Sequence, residues 1–343
     1  MQRVLTTLGH SEPDRVPLFL LLTMHGAKEL GLSIRDYFSS ARHVVEGQLR
    51  LRAKYRHDCL YPFFYAPLEV EAWGGEVVYY DDGPPNSGQP LIRKAEDILS
   101  LEPPRVRDTP CLVRVLEAER QLKERVGDTV PIIGVVMSPF SVPVMQLGFG
   151  PYLELIDERP TLVDHLMRVN EEFCVEWANA QLEAGATAIC YFDPVASPTI
   201  VPPDLYRGLG HPVATRTLAR IKGPTATHLA SGRTLPIIDD LARTGTAAVG
   251  VSCEEDLAAL KAACRGRLTI LGQLNGIAMR NWTPSQAEAA VKAAISGAGA
   301  GGGFLLADNH GEIPWQVPDD VLFAISEAAH TFGQYPLARV EQP

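Results

Sequence analysis

The stretch QLEAGATAICYFDP (181–194) reads as a helix end, a buried strand and a polar strand exit in succession. Gly185 stops a long helical pattern, TLVDHLMRVNEEFCVEWANAQLEAG (161–185), as a glycine does after a last helical turn. ATAICYF (186–192) is apolar throughout instead of alternating, which is what a strand covered on both faces requires. Asp193 and Pro194 then end it. The unit recurs. Further apolar runs are VPLFLLL (16–22), DCLYPFF (58–64), VPIIGVV (130–136), PTATHLA (224–230), TAAVGVS (246–252), RLTILGQL (267–274) and GGFLLAD (302–308). Helical patterns lie between most of them, several ending in glycine: SIRDYFSSARHVVEGQLRLRAKY, PDLYRGLGHPVATRTLARIKG, IIDDLARTG, EEDLAALKAACRG, PSQAEAAVKAAISGAG and PDDVLFAISEAAHTFG. Eight strand–helix units in 343 residues predict an α/β fold, a (β/α)8 TIM barrel over 1–343 with an N-terminal helical extension. A doubly wound sheet is the runner-up, and no GxGxxG follows the first strand to favour it. Residues 68–91 read as a helical turn, hairpin and Gly/Pro-rich loop inserted into that domain, and PFSVPVMQLGFGPY (139–152) as a long loop or broken helix.

Composition narrows the function. A hydrophobic fraction of 46% supports a large core, while a net charge of -10 and a pI near 5.4 argue against nucleic acid or an anionic membrane as partner. No early stretch has the flanks of a signal peptide, and VPLFLLL is too short to span a bilayer. Six scattered cysteines without a CxxC suggest reduced thiols and a cytoplasmic protein.

In a barrel the residues after each strand converge on one mouth. Here they are Thr23, Met24 and His25, then Phe64 and Tyr65, Met137 and Ser138, Asp193, His228, Cys253, Gln273 and Asn275, and Asp308, Asn309 and His310. His228, Cys253 and His310 are the candidate metal ligands, because two imidazoles and a thiolate with an open fourth position suit catalytic zinc. Each also has a plainer reading: a histidine at a strand end as a hydrogen-bonding or substrate residue, Cys253 as a small buried hydrophobe. Asp193 could orient a substrate or accept a backbone N–H in its own loop. Tyr65, Tyr191, Met137 and Trp315 could line an apolar pocket or pack the core rim. The loop DNHGEIPWQVPDD (308–320) is stiffened by Pro314 and Pro318, and Gly311 between His310 and Glu312 lets the backbone approach a ligand.

The chain resembles the uroporphyrinogen decarboxylase superfamily, and within it the methylcobamide:coenzyme M and related corrinoid methyltransferases. The segments that carry the resemblance are DRVPLFLL, EAWGGEVVYYDDGPP (71–85), QLEAGATAICYFDP, THLASGRTLPIIDDLARTG (227–245) and GGGFLLADNHGEIPWQVP (301–318). Their order and spacing cover some 300 residues. The resemblance implies a barrel with its site at the C-terminal strand ends. It also marks departures. The decarboxylases' arginine pair falls at Leu22 and Gly26, their essential aspartate at Tyr65 and their site serine at Pro194. The thiol-activating methyltransferases' His-x-Cys and distant cysteine fall at His228, Ala230 and Gly311, with His310 adjacent. Either the metal site is rebuilt with Cys253 and His310, or the metal is gone and the histidines do acid–base or binding work.

The expected function is therefore a corrinoid-dependent methyltransferase. It would move a methyl group between a small substrate, such as an aryl methyl ether or thioether (a demethylase), and a cobalamin carried on a partner corrinoid protein. His228, His310 and Asp193 are its candidate catalytic residues, and Phe64, Tyr65, Met137, Tyr191, Gln273 and Asn309 its candidate substrate contacts. The rivals are a decarboxylase or lyase of a small acid, for which Arg15, Arg35 or Arg280 would have to hold the carboxylate, and a non-catalytic corrinoid- or partner-binding member. The resemblance is compatible with a monomer or a homodimer.

Overall fold

A computed structural model describes residues 1–337 of the chain, so 338–343 of the expected 1–343 domain lie outside the described residues. The 68–91 region forms a helical turn, Leu68–Ala72, and a short antiparallel hairpin of β1 (Val77–Val78) and β2 (Asn86–Ser87). The main sheet is parallel and six-stranded, in the order β3 (Ile133–Met137), β4 (Ala188–Phe192), β5 (Thr225–His228), β6 (Ala248–Gly250), β7 (Thr269–Leu274) and β8 (Phe304–Asp308). Sequential order with a helix in each crossover is the pattern of consecutive βα units.

Two of the eight expected strands are not ladder strands. Runs 16–22 and 58–64 are extended segments that meet the sheet through isolated bridges, Leu18 with Leu306 and Leu60 with Ile132. Their prolines are the physical reason: Pro17 and Pro62 have no N–H to donate, and Pro131 removes another donor beside run 58–64. Individual bonds still connect them. The Phe19 amide donates to the Leu306 carbonyl (2.8 Å) and the Leu306 amide to that of Pro17 (2.9 Å). The Asp58 amide donates to the Leu18 carbonyl (2.7 Å), and the Leu60 amide to that of Pro131 (2.8 Å). These bonds lead from β8 through both segments to β3, which is consistent with a (β/α)8 barrel.

The Asp58 side chain supplements this thin seam. It accepts from the Leu18 amide (2.8 Å) and pairs with both guanidinium nitrogens of Arg15, at 2.8 and 3.0 Å. Arg15 is thus committed at the start of the first segment, away from the C-terminal strand ends.

Side chains on the strands alternate between two environments, as a period of two demands. Val135, Cys190, Leu271 and Leu305 join Phe19, Tyr61 and the half-buried Phe63 and Phe192 in the interior cluster. Val136, Ile189 and Tyr191 join Phe173, Trp177 and Ala178 of the helix Pro160–Ala184 in the layer between sheet and helices. The helix Gln2–Leu8 sits against the strand starts, with Val4 and Leu8 packed on the interior cluster. The 139–152 stretch is a broken helix, Pro143–Leu147 and then Phe149–Glu158, interrupted at Gly148.

Candidate functional site

His228 is the last residue of β5, and its imidazole is fully buried. The ring lies flat on the Phe192 ring, with centroids 5.0 Å apart and planes 2° from parallel. Its free edges face two glycines. A Cβ on Gly250 would come within 2.3 Å of Cδ2 and 2.7 Å of Nε2, and one on Gly311 within 3.2 Å of Cε1. Nδ1 accepts a hydrogen bond from the Ala230 amide (3.1 Å), while Nε2 has no partner among the described residues. Ala230 reaches this position at a φ of 50°, a left-handed turn that folds its N–H back onto the ring. Burial, with His310 nearby, holds His228 neutral by lowering its pKa to about 3.

The loop after β8 supplies the other polar groups. Asp308 Oδ2 accepts from the amides of His310 and Gly311, both at 2.8 Å, and Oδ1 has no protein partner. Burial raises this carboxyl's pKa against the pull of those amides. Glu312 accepts from the Thr23 hydroxyl across the mouth, and burial pushes its pKa up to about 7, helped by the charge of Asp308. His310 is half-buried at the rim, where Nδ1 lies 2.9 Å from the exposed Ser231 hydroxyl. The Tyr61 hydroxyl donates to the Gly311 carbonyl (3.2 Å) from inside the barrel.

The structure therefore gathers His228, His310 and the 308–312 loop at one place, with Asn309 beside them. The Asn309 amide nitrogen donates to Cys253 Sγ (3.3 Å), and its oxygen accepts from the Gly276 amide (3.2 Å). Gln273 donates to the carbonyls of Ser252 and Glu255, at 3.0 and 3.1 Å. Met137 is buried beside Val70 and Val142, near Phe192. Asp193 is fully buried between the hydroxyls of Ser138 (2.5 Å) and Ser141 (2.6 Å), both donating to Oδ1. It joins the loops after β3 and β4, and burial lifts its pKa to about 6.

Phe64, Tyr65 and Tyr191 lie elsewhere. Their side chains occupy the layer between sheet and helices, where Phe64 and Tyr65 pack on Phe38 and the Tyr65 hydroxyl donates to Glu71 (2.6 Å). A one-residue change of register moves a strand side chain to the opposite face. Near the strand ends the interior aromatics are accordingly Phe63 and Phe192, which the sequence reasoning missed; it named Thr23 and Glu312 but not their pairing. Trp315 roofs one side of the mouth: Lys28 lies 4.4 Å over its ring and donates to its carbonyl, and His25 packs against it. Gln316 donates to the Asp82 carbonyl (2.7 Å) in the loop beyond β1. Arg35 lies over the Tyr79 ring at 4.4 Å, and the exposed Arg280 donates to the Ile277 carbonyl (3.1 Å).

Zinc fits this donor set poorly. Among the described residues no group of three or more His, Cys, Asp or Glu side chains is disposed to hold a metal ion. The Cys253 sulfur is already engaged as the acceptor of the Asn309 amide nitrogen (3.3 Å). Gly311 is at a φ of 88°, and a Cβ there would fall 2.5 Å from the Phe192 ring, so a side chain at this position would need Phe192 to move and the backbone to bear strain.

Comparison with known proteins gives four findings. The family model described as Uroporphyrinogen decarboxylase (URO-D) matches residues 1–332. The methylcobamide:CoM methyltransferase MtaA of Methanosarcina barkeri is 31% identical over 143 residues, which span 42% of this chain and only 41% of that protein. A uroporphyrinogen decarboxylase of Xylella fastidiosa is 25% identical over 93% of this chain and 95% of its own length. In fold, the solved structure of a methyltransferase from Methanosarcina mazei superposes with a TM-score of 0.87 at 22% identity, covering 96% of this chain and 98% of that one.

Proposed function

Because the chain belongs to the uroporphyrinogen decarboxylase family, we propose that it is a methyltransferase of that family, passing a methyl group between a small substrate and a corrinoid carried on a partner protein. The observation that carries this reading is the lack of an arginine clamp at the described mouth, where the nearby Lys28 is itself engaged with Trp315. Leu22 and Gly26 stand where a polycarboxylate would need arginines, Arg15 is tied to Asp58, and Arg35 and Arg280 are engaged elsewhere. Phe63, Met137, Met145 and Phe192 pack on the interior side of the strand ends, and an apolar setting of this kind would suit a methyl-bearing small molecule.

A corrinoid would supply cobalt as the methyl carrier. The chain's own residues would bind and orient the small substrate and manage a proton. When a methyl–oxygen bond breaks, its electron pair stays on oxygen, and that oxygen must gain a proton or a strong hydrogen bond. Glu312, protonated for a large part of the time near neutral pH, and His228 are the groups placed to provide it. His310 at the rim and Gln273 and Asn309 deeper in would contact the substrate.

The test mixes purified protein with cob(I)alamin or methylcob(III)alamin, free and bound to a corrinoid protein, plus O-methyl and S-methyl donors or thiol acceptors, and follows the cobalamin spectrum. Interconversion of the two forms is expected. No spectral change with any pair overturns the proposal. Decarboxylation of a small acid is the second reading, favoured by the near full-length likeness to a protein named uroporphyrinogen decarboxylase. Release of carbon dioxide from a panel of small acids would support it.

A further inference from the structure

The direction of one hydrogen bond decides what His228 can do. Nδ1 faces the Ala230 N–H at 3.1 Å, so Nδ1 must present its lone pair. A neutral imidazole has one N–H, and that proton is then on Nε2. Nε2 is buried and has no acceptor among the described residues. A buried donor without a partner costs on the order of 1–3 kcal/mol, which calls for a partner from outside the folded chain, an ordered water or a bound molecule. A metal on Nε2 would need the opposite arrangement, with the proton on Nδ1 pointing at another N–H.

The ring is held in a close-fitting slot. Phe192 covers one face, and the backbones of Gly250 and Gly311 pack against the Cδ2–Nε2–Cε1 edge. A Cβ on Gly250 would collide with that edge, 2.3 Å from Cδ2 and 2.7 Å from Nε2, so no side chain of that residue stands between Nε2 and an approaching group. The Ala230 turn at positive φ fixes the tautomer from the other side. We propose that His228 is a substrate-binding residue that donates from Nε2–H to an oxygen acceptor of the small molecule, an ether, carbonyl or carboxylate oxygen, in the place where a metal ion would otherwise polarise it. The inference takes the location of the mouth from the methyl-transfer reading. Its test follows protons and zinc, not methyl groups, so either can fail without the other.

The experiment is a long-range 1H–15N correlation spectrum of the full chain labelled with 15N-histidine, recorded at neutral pH. His228 is assigned through contacts of its ring protons with Phe192, so no variant has to fold. The proton is expected on Nε2, and one equivalent of zinc chloride is expected to leave the His228 signals in place. A proton on Nδ1, or displacement of the His228 signals by zinc, overturns the proposal. A panel of methyl ethers and small carboxylates is then titrated in. A shift of the Nε2 proton to lower field with at least one of them is expected, and titration of the whole panel without movement overturns the substrate-binding role.

Discussion

Gly311 has a φ of 88°, and a Cβ would sit 2.5 Å from the Phe192 ring and 3.2 Å from the His228 ring. Gly311→Ala therefore adds backbone strain to overpacking, and we expect a loss of about 2–4 kcal/mol in urea unfolding. Putting Leu at Phe192 should return part of that loss, because the ring is the obstacle. Purely additive effects in the double variant would contradict this. The same residue explains what the sequence could and could not convey. PTATHLA placed His228 at a strand end, and the polar loop 308–320 placed His310 and Glu312 near it. Nothing in the letters tells which imidazole nitrogen meets an N–H, since that depends on Ala230 entering a left-handed turn.

At the scale of the element, the strands β4 to β8 were legible because each is an apolar run behind a helix with a glycine end, and β3 was legible from its apolar run alone. That same lack of alternation hid which side chains point inward, so Phe64 and Tyr191 read as mouth residues where Phe63 and Phe192 are. Runs 16–22 and 58–64 looked like their neighbours, but Pro17, Pro62 and Pro131 thin their ladders. Asp58 compensates with four hydrogen bonds, from the Leu18 amide, two Arg15 nitrogens and Arg3. Asp58→Ala leaves the buried Arg15 uncompensated, and a cost of about 3–5 kcal/mol is expected. Asp58→Asn should retain the Leu18 bond and cost less. Equal unfolding midpoints for the two variants would show that the Leu18 bond contributes nothing.

The whole molecule buries ionisable groups of both kinds, and they pull stability in opposite directions with pH. Burial holds His25, His57 and His228 neutral, with pKa values lowered from 6.5 to about 3, 4 and 3. Below pH 6.5 the unfolded chain binds protons at these sites that the folded chain refuses, so stability falls as pH drops. Burial raises Glu69 to about 8, Glu312 to about 7 and Asp193 to about 6. Above their ordinary values of 4.5 and 3.8 the folded chain keeps protons that the unfolded chain releases, so stability falls as pH rises. Each group contributes up to about 1.4 kcal/mol per pH unit within its window. The two sets offset one another between the carboxyl and histidine ordinary values. A broad maximum in thermal midpoint at mildly acidic pH is expected, declining toward both pH 3 and pH 8. A midpoint that rises steadily from pH 5 to pH 8 would contradict it.

The seam has a consequence for how the molecule breathes. Backbone amides in β3 to β8 are locked in continuous ladders, whereas runs 16–22 and 58–64 are joined to their neighbours by a few isolated bonds, such as those of the Phe19, Asp58 and Leu60 amides. In heavy water the amides along 16–22 and 58–64 should exchange sooner than those of the sheet, because opening them breaks fewer contacts. The mouth is laced across this side: Thr23 to Glu312, Lys28 to Trp315 and Gln316 to Asp82. Those cross-ties are the stitches that keep the least ladder-bound part of the wall closed. A small molecule seated at the mouth would tighten them, so deuterium uptake at Phe19 and Leu60 should slow when the site is filled, at a distance from the ligand itself.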